Sequence, residues 1–280
     1  MALMAIGIGS SSRTSTRLAF NTVENTKARL LADAGVQQAI FNLLTDEGGR
    51  LWLKGGDSSH AFALGGDRVQ IEIRDEDGKI DINVAPSVVL EGLFTAIGAE
   101  EDQAAMLASR VVDFRDDDSD PEQNGAEDPA YEAAGRAKGA ADRPFRRIEE
   151  LADVLGLSDI LYQRMRPHVT IYSDAEGIDP LSASPAVLRA IPGITPEIEA
   201  AISASATADD VDLILSSIDV EEAADYLLPS RELLFSIRAL GISEGGGRFV
   251  RDATIALDGG VDELPFTIYT WQRGTLRPDE

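Results

Sequence analysis

The sequence has no cysteine, only two histidines, and roughly one basic residue for every two acids across 280 residues. Without cysteine there are no disulfides, thiolate metal sites, iron–sulfur clusters or thiol nucleophiles. That absence leaves the compartment open, because a periplasmic protein can do without cysteine. With only His60 and His168, neither a multi-histidine zinc site nor Ser-His-Asp chemistry has the imidazoles it needs. The 25 Lys+Arg against 49 Asp+Glu give a formal net charge of -24. A phosphate binder needs a basic face, so this balance argues against nucleic acid and against polybasic attachment to an anionic membrane. Cations or basic partners suit it better. No Gly-x-Ser-x-Gly, Walker loop, His-Glu-x-x-His or dinucleotide fingerprint occurs.

A long apolar run is also lacking. Met1–Gly9 is mostly apolar and then turns polar at Ser10, whereas a bilayer span needs roughly 20 residues. No basic region or convincing cleavage site accompanies it, so this stretch does not read as a complete signal peptide. The residues after Ser10 favour reading this start as the end of a membrane helix: Ala28, Leu31, Ala32, Gly35, Val36, Ala39, Ile40 and Leu43 recur at helical spacing along one face. The spacing predicts a helix from about Ser15 to Leu44, roughly 45 Å long, stopping near Asp46-Glu-Gly-Gly49.

With 44% hydrophobic residues the chain can bury a sizeable core. Val69, Ile71 and Ile73 alternate with polar residues, as do Ile80 and Ile82, and the intervening Asp77-Gly78 predicts a hairpin. Leu233–Leu240, Phe249–Leu257 and Phe266–Gln272 predict three strands, divided by glycine-rich turns at 244–247 and 258–260. Residues 84–228 read almost entirely as short helices. The expected class is α+β: a long helix on an antiparallel sheet that is split by a large all-helical insert.

The insert repeats itself. Ile80–Leu90 aligns without gaps on Ile178–Leu188, and each copy leads to a helix, a glycine (Gly98, Gly193) and another helix. A third such unit spans Ile148–Met165 about Gly156. Leu188–Ile202 looks like a helix-hairpin-helix. In DNA-binding versions basic residues accompany the hairpin; here Glu197 and Glu199 come after it, which favours a packing unit over a nucleic-acid module.

The densest charge lies in Asp113–Glu132, nine acids against the single Arg115. Crowded carboxylates repel one another unless paired or neutralised. Ca²⁺ answers this with six to eight oxygen ligands. Asp116, Asp118 and Asp120 alternate as in many calcium loops, Gly125 permits a turn, and Glu127 can return as a later ligand. Position 6 counted from Asp116 is Pro121, so the EF-hand pattern is not met; Mg²⁺, which keeps its waters, fits less well. A solvated acidic loop is the competing reading. A glycosidase pair would sit in a cleft with one acid desolvated, which this run does not suggest.

The ordered set of features resembles the minor pseudopilin K family of bacterial type II secretion systems. It comprises the Thr14–Val36 stalk, Asp75-Glu-Asp-Gly-Lys-Ile-Asp-Ile-Asn83, and Asp113-Phe-Arg-Asp-Asp-Asp-Ser-Asp120 leading to Gly125-Ala-Glu127 and Tyr131. Ile148-Glu-Glu-Leu151, Val154-Leu-Gly156 and Val169-Thr-Ile-Tyr172 complete it. Phe114 stands where the family usually has Trp, and the cysteines common in relatives are missing.

The resemblance implies a pilin-like fold: a long N-terminal helix, membrane-embedded in its first half, on an antiparallel sheet interrupted by a helical domain. The corresponding division is 1–14 (end of a membrane helix), 15–83, 84–228 (insert) and 229–280. The implied role is non-enzymatic. The protein would sit at the periplasmic tip of the pseudopilus with the I- and J-type minor pseudopilins, initiating and capping assembly, and through them meet the major pseudopilin and the secretion apparatus. It would be held in the inner membrane by a single N-terminal helix, with a basic leader and further apolar residues expected upstream of Met1. Calcium is implied in the insert, with Asp113, Asp116, Asp118 and Glu127 as ligands and Asp120 and Asn124 as further candidates. A helix-hairpin-helix nucleic-acid module and an acidic-site glycan hydrolase are the alternatives.

Overall fold

The computed structural model describes residues 2–45, 52, 57–175, 177–205, 207–216, 221–231, 233–257, 265–278 and 280. In chain order its strands are β1 (Asp57–Leu64), β2 (Asp67–Asp75), β3 (Ile80–Asp81), β4 (Val169–Thr170), β5 (Leu234–Ile242), β6 (Arg248–Ala256) and β7 (Thr267–Arg273). The helices are α1 (Ala2–Leu43), α2 (Ser87–Ala96), α3 (Glu101–Arg115), α4 (Asp128–Ala133), α5 (Asp159–Met165), α6 (Pro185–Ala190), α7 (Pro196–Ser203), α8 (Ala208–Ser216) and α9 (Glu221–Ala224). The chain divides into two units, Met1–Arg74 with Phe235–Glu280, and Asp75–Leu234.

In the first unit α1 runs 42 residues, about 63 Å at 1.5 Å per residue; its backbone is helical from Ala2, well before Ser15. No described helix is long and apolar enough to cross a membrane. The expected stop at Asp46–Gly49 lies outside the described residues. Ala28, Ala32, Val36 and Ala39 are fully buried and Leu31, Ile40 and Leu43 nearly so. Their small side chains bring α1 close to the sheet: a Cβ on Gly241 would stand 2.1 Å from the Ala28 carbonyl oxygen, so only glycine fits there. Val69, Ile71 and Ile73 of β2, Phe235, Ile237 and Ala239 of β5, and Ala253 and Ile255 of β6 complete this core. Each fully buried branched side chain contributes roughly 1.5–3 kcal/mol. The Arg251 guanidinium donates to Asp33 Oδ1 at 2.7 Å, and Glu24 accepts the Gly245 N–H at 3.0 Å.

The five-stranded sheet has the order β1-β2-β5-β6-β7. β1 and β2 pair antiparallel, as do β6 and β7. The three C-terminal strands fall within two residues of their expected positions; the turn expected at 258–260 lies outside the described residues. β1 was not expected. Because β2 lies next to β5, the whole of 76–233 enters and leaves between neighbouring strands.

In the second unit two expectations are corrected. Asp77-Gly78 makes no hairpin. Glu76–Gly78 forms a 3-10 turn capped by the Asp75 carboxylate, which accepts the Asp77 N–H at 2.9 Å. β3 then pairs in parallel with β4. The Asp77 carboxylate is committed to Arg231, accepting its backbone N–H at 2.9 Å and its guanidinium at 3.1 Å. Gly78 is pressed against Ser182, whose backbone a Cβ would meet at 2.4 Å, so the turn is buried instead of standing at a hairpin tip. The insert is also not all helical: it holds the β3–β4 pair, and irregular chain at 116–127 and 134–147.

The internal repeat has a structural counterpart. Ile80 opens the first copy by pairing with Val169, and Ile178 opens the second by bridging to Leu227, both in parallel. Asp81 then accepts the Asn83 N–H at 2.8 Å and Asp179 the Ser182 N–H at 3.0 Å. Their helices α2 and α6 pack so tightly that a Cβ on Gly92 would lie 2.2 Å from the Ala190 oxygen. Gly98, Gly156 and Gly193 all turn at positive φ, 97°, 86° and 82°. At Gly156 the preceding segment, Ile148–Asp153, is a 3-10 helix.

Candidate metal centre

The acidic run begins inside α3 and leaves it at its end. Glu101 and Asp102 favour the positive start of this helix, and Arg115 its last turn. Arg115 turns back to donate to the Ile82 and Ala85 carbonyl oxygens, fixing the helix end from which the loop departs. Asp116 is the C-terminal cap, its N–H donating to the Val112 oxygen at 3.1 Å.

Asp113 is fully buried in the last turns of α3. Its Oδ1 accepts the Glu122 N–H at 3.1 Å and its Oδ2 the Ala126 N–H at 2.6 Å. A Cβ on Gly125 would come within 1.9 Å of the same Oδ2, so glycine is required for the loop to close on this carboxylate. Asp113 thus folds the loop 116–127 back on the helix.

This closure converges Asp116, Asp118 and Glu127: one carboxylate oxygen from each lies within 4.8 Å of the others. Glu127, at the start of α4, is 5% exposed. Its Oε1 and the Oδ1 of Asp116 are buried and have no hydrogen-bond partner. Buried carboxylate oxygens are costly when unpaired, and these two belong to residues of the same converging group. Asp118 is exposed, and its Oδ1 accepts the Asp120 N–H at 2.8 Å. Asp120 is outside the converging group. Asn124 is exposed in a left-handed turn, φ 69°.

The electrostatics reflect this crowding. Burial first, then Asp118 and Asp113, push Asp116 up to about 6. Burial, then Asp113 and Asp116, push Glu127 up to about 7. Burial likewise raises Asp113, against the two N–H groups that lower it. Asp142, which sequence reasoning did not single out, adds repulsion to both Asp116 and Glu127. It lies in a basic stretch beyond α4, and its left-handed backbone, φ 49°, is the one local sign of a constrained position. The donor set is all oxygen and anionic, which fits a hard divalent cation and not a soft one.

Residues 71–174, which contain this centre, match the family of type II secretion system (T2SS) protein K. Type II secretion system protein K of Klebsiella pneumoniae is 33% identical over 89 residues, 32% of this chain and 27% of that protein. The protein of the same name from Pectobacterium carotovorum is 36% identical over 84 residues, 30% of this chain and 26% of that one. That of Pseudomonas aeruginosa is 30% identical over 141 residues, 47% and 42%. The alignments thus span between about a quarter and two fifths of these relatives' own lengths. A chain of the solved GspK–GspI–GspJ complex from the enterotoxigenic Escherichia coli type 2 secretion system has the same fold. Its TM-score is 0.66 at 18% identity, covering 95% of this chain and 100% of that one.

Proposed function

We propose that this chain is a K-type minor pseudopilin, a non-catalytic component of a bacterial type II secretion system with a pilin-like framework of α1 and the sheet. The observation that carries this is the match of residues 71–174 to the protein K family, in a chain whose strands β2 and β5 are sheet neighbours although residues 76–233 separate them in sequence. In this reading the chain joins I- and J-type minor pseudopilins at the tip of a periplasmic pseudopilus, starts and caps its assembly, and is held at the inner membrane by its N-terminal helix. The outer face of α1 supports a packing role. Val23, Leu30 and Phe41 are 54%, 62% and 62% exposed and recur at helical spacing opposite the buried stripe. Deleting the gene from its own host should abolish type II export, and re-expressing the full gene should restore it; unchanged export in the deletion strain contradicts the reading.

The same reading assigns Ca²⁺ to Asp116, Asp118 and Glu127. Its support is the pair of buried, unpartnered oxygens on Asp116 and Glu127. Asp113 would then shape the loop, with Asp120 and Asn124 reserved for outer positions. A cation bound only by the folded chain stabilises it by mass action. Thermal melts in millimolar Ca²⁺ should exceed those in EDTA, and Asp116→Ala with Glu127→Ala should erase the difference. Coincident wild-type melts would remove calcium from the account.

A further inference from the structure

Residues 136–147 invert the character of the molecule. In a chain of net charge -24 they hold Arg136, Lys138, Arg143, Arg146 and Arg147 against a single acid, Asp142. The segment lines a cavity of about 500 Å³ within the second unit. Arg136, Lys138, Arg143 and Arg147 stand on its walls with Glu150 and Asp153, and Phe114, Ala137, Ala140 and Ala141 supply an apolar floor.

The walls are fixed before any ligand arrives. Arg143 is held by Glu150 through two contacts, 3.1 and 3.3 Å, and by the Pro144 oxygen at 2.9 Å. Glu150 also accepts the Arg146 N–H at 3.0 Å and lies 4.0 Å from the Arg147 guanidinium, so its charge is already matched. The Phe114 ring stacks on Phe145 at 5.0 Å, and the Ala141 N–H donates to the Phe114 oxygen at 3.1 Å. Arg136 and Lys138 are different: both are exposed, and among the described residues no carboxylate lies within ion-pair distance of either.

We propose that this cavity binds an acidic peptide segment, with glutamate or aspartate carboxylates meeting Arg136 and Lys138 while neighbouring aliphatic groups rest on the Phe114–alanine floor. Charge complementarity selects the class. A guanidinium and an ammonium beside a half-apolar floor suit a side chain that carries both methylene and carboxylate. A polyanion such as duplex nucleic acid would instead meet Asp153 and the acids of the rest of the chain. None of Asp116, Asp118 and Glu127 lines this cavity.

The test is fluorescence anisotropy of the whole chain with a labelled peptide of alternating glutamate and leucine. Saturable binding is expected, weakening as salt is raised. Arg136→Glu with Lys138→Glu should weaken it about tenfold or more, with an unchanged thermal melt because both residues are exposed. Asp153→Lys, which removes the free acid from the wall, should tighten it. The proposal is overturned by absent saturation, by equal binding to the double variant, by equal binding of a lysine–leucine peptide, or by displacement with inorganic phosphate at the concentration of peptide.

Discussion

Asp113 and Asp116 stand three positions apart on one acidic run, yet they contribute differently. Asp113 satisfies two backbone N–H groups; Asp116 leaves an oxygen unpaired. Asp113→Ala should therefore cost about 1–3 kcal/mol of stability with or without Ca²⁺, since it orphans buried donors. Asp116→Ala should cost stability only when Ca²⁺ is present, since in EDTA it relieves repulsion; chemical denaturation in the two conditions separates the cases. The carboxyls of Glu127 and Asp75 are both raised to about 7, from 4.5 and 3.8. Folding takes up protons at such groups between those values. Without metal, stability is therefore greater on the acid side and falls as pH rises through about 4 to 7. Glu127→Gln should flatten that slope in denaturant titrations run in EDTA, and an unchanged slope would refute the assignment. With metal the Glu127 contribution reverses sign, because protons and Ca²⁺ compete for the same oxygens. The acidic run was legible in the sequence, but its division of labour was not. Which carboxylate turns inward is decided by the direction the backbone takes after Arg115, and Asp142 reaches the cluster from a segment with no acidic signature.

At the scale of elements, alternation and helical spacing carried most of the information. The buried stripe of α1 and the strands β5 and β6 were readable because each supplies apolar residues to a single core; β7 was readable from its β-branched and aromatic residues, although most of it is exposed. β1 escaped because Asp57-Ser-Ser-His60 has no such face at its start, and its order comes from pairing with β2. Asp77-Gly78 misled for the opposite reason: a strong local turn signal was overridden by Arg231, which arrives from more than 150 positions away. Close approach makes the sharpest prediction here. Gly241→Ala would drive a methyl into the Ala28 carbonyl, and should cost on the order of 1–3 kcal/mol through overpacking, read as a lowered denaturation midpoint. The glycines at positive φ act through backbone conformation instead. Gly193→Ala, at φ 82°, should cost roughly 1–2 kcal/mol, with little change in the far-ultraviolet spectrum.

Over the whole molecule, the charge of -24 is unevenly spread. It concentrates in the run from Asp113 to Glu132, where a cation would offset part of it, and reverses between Arg136 and Arg147. The exclusion of nucleic-acid binding drawn from net charge thus describes the average surface, while the local reversal supplies a place for an acidic partner. The splitting of the sheet was legible because strand signals flank the helical stretch; the parallel β3–β4 pair inside it was not, since two residues per strand leave no period to read. The proposed role is that of a subunit that acts by assembling with others. Sedimentation velocity of the purified chain mixed with the periplasmic heads of the I- and J-type minor pseudopilins from the same host tests this most directly. The account predicts a single faster boundary containing all three chains in fixed proportion. Three boundaries at the rates of the separate proteins, at concentrations where the I and J heads themselves associate, would contradict it.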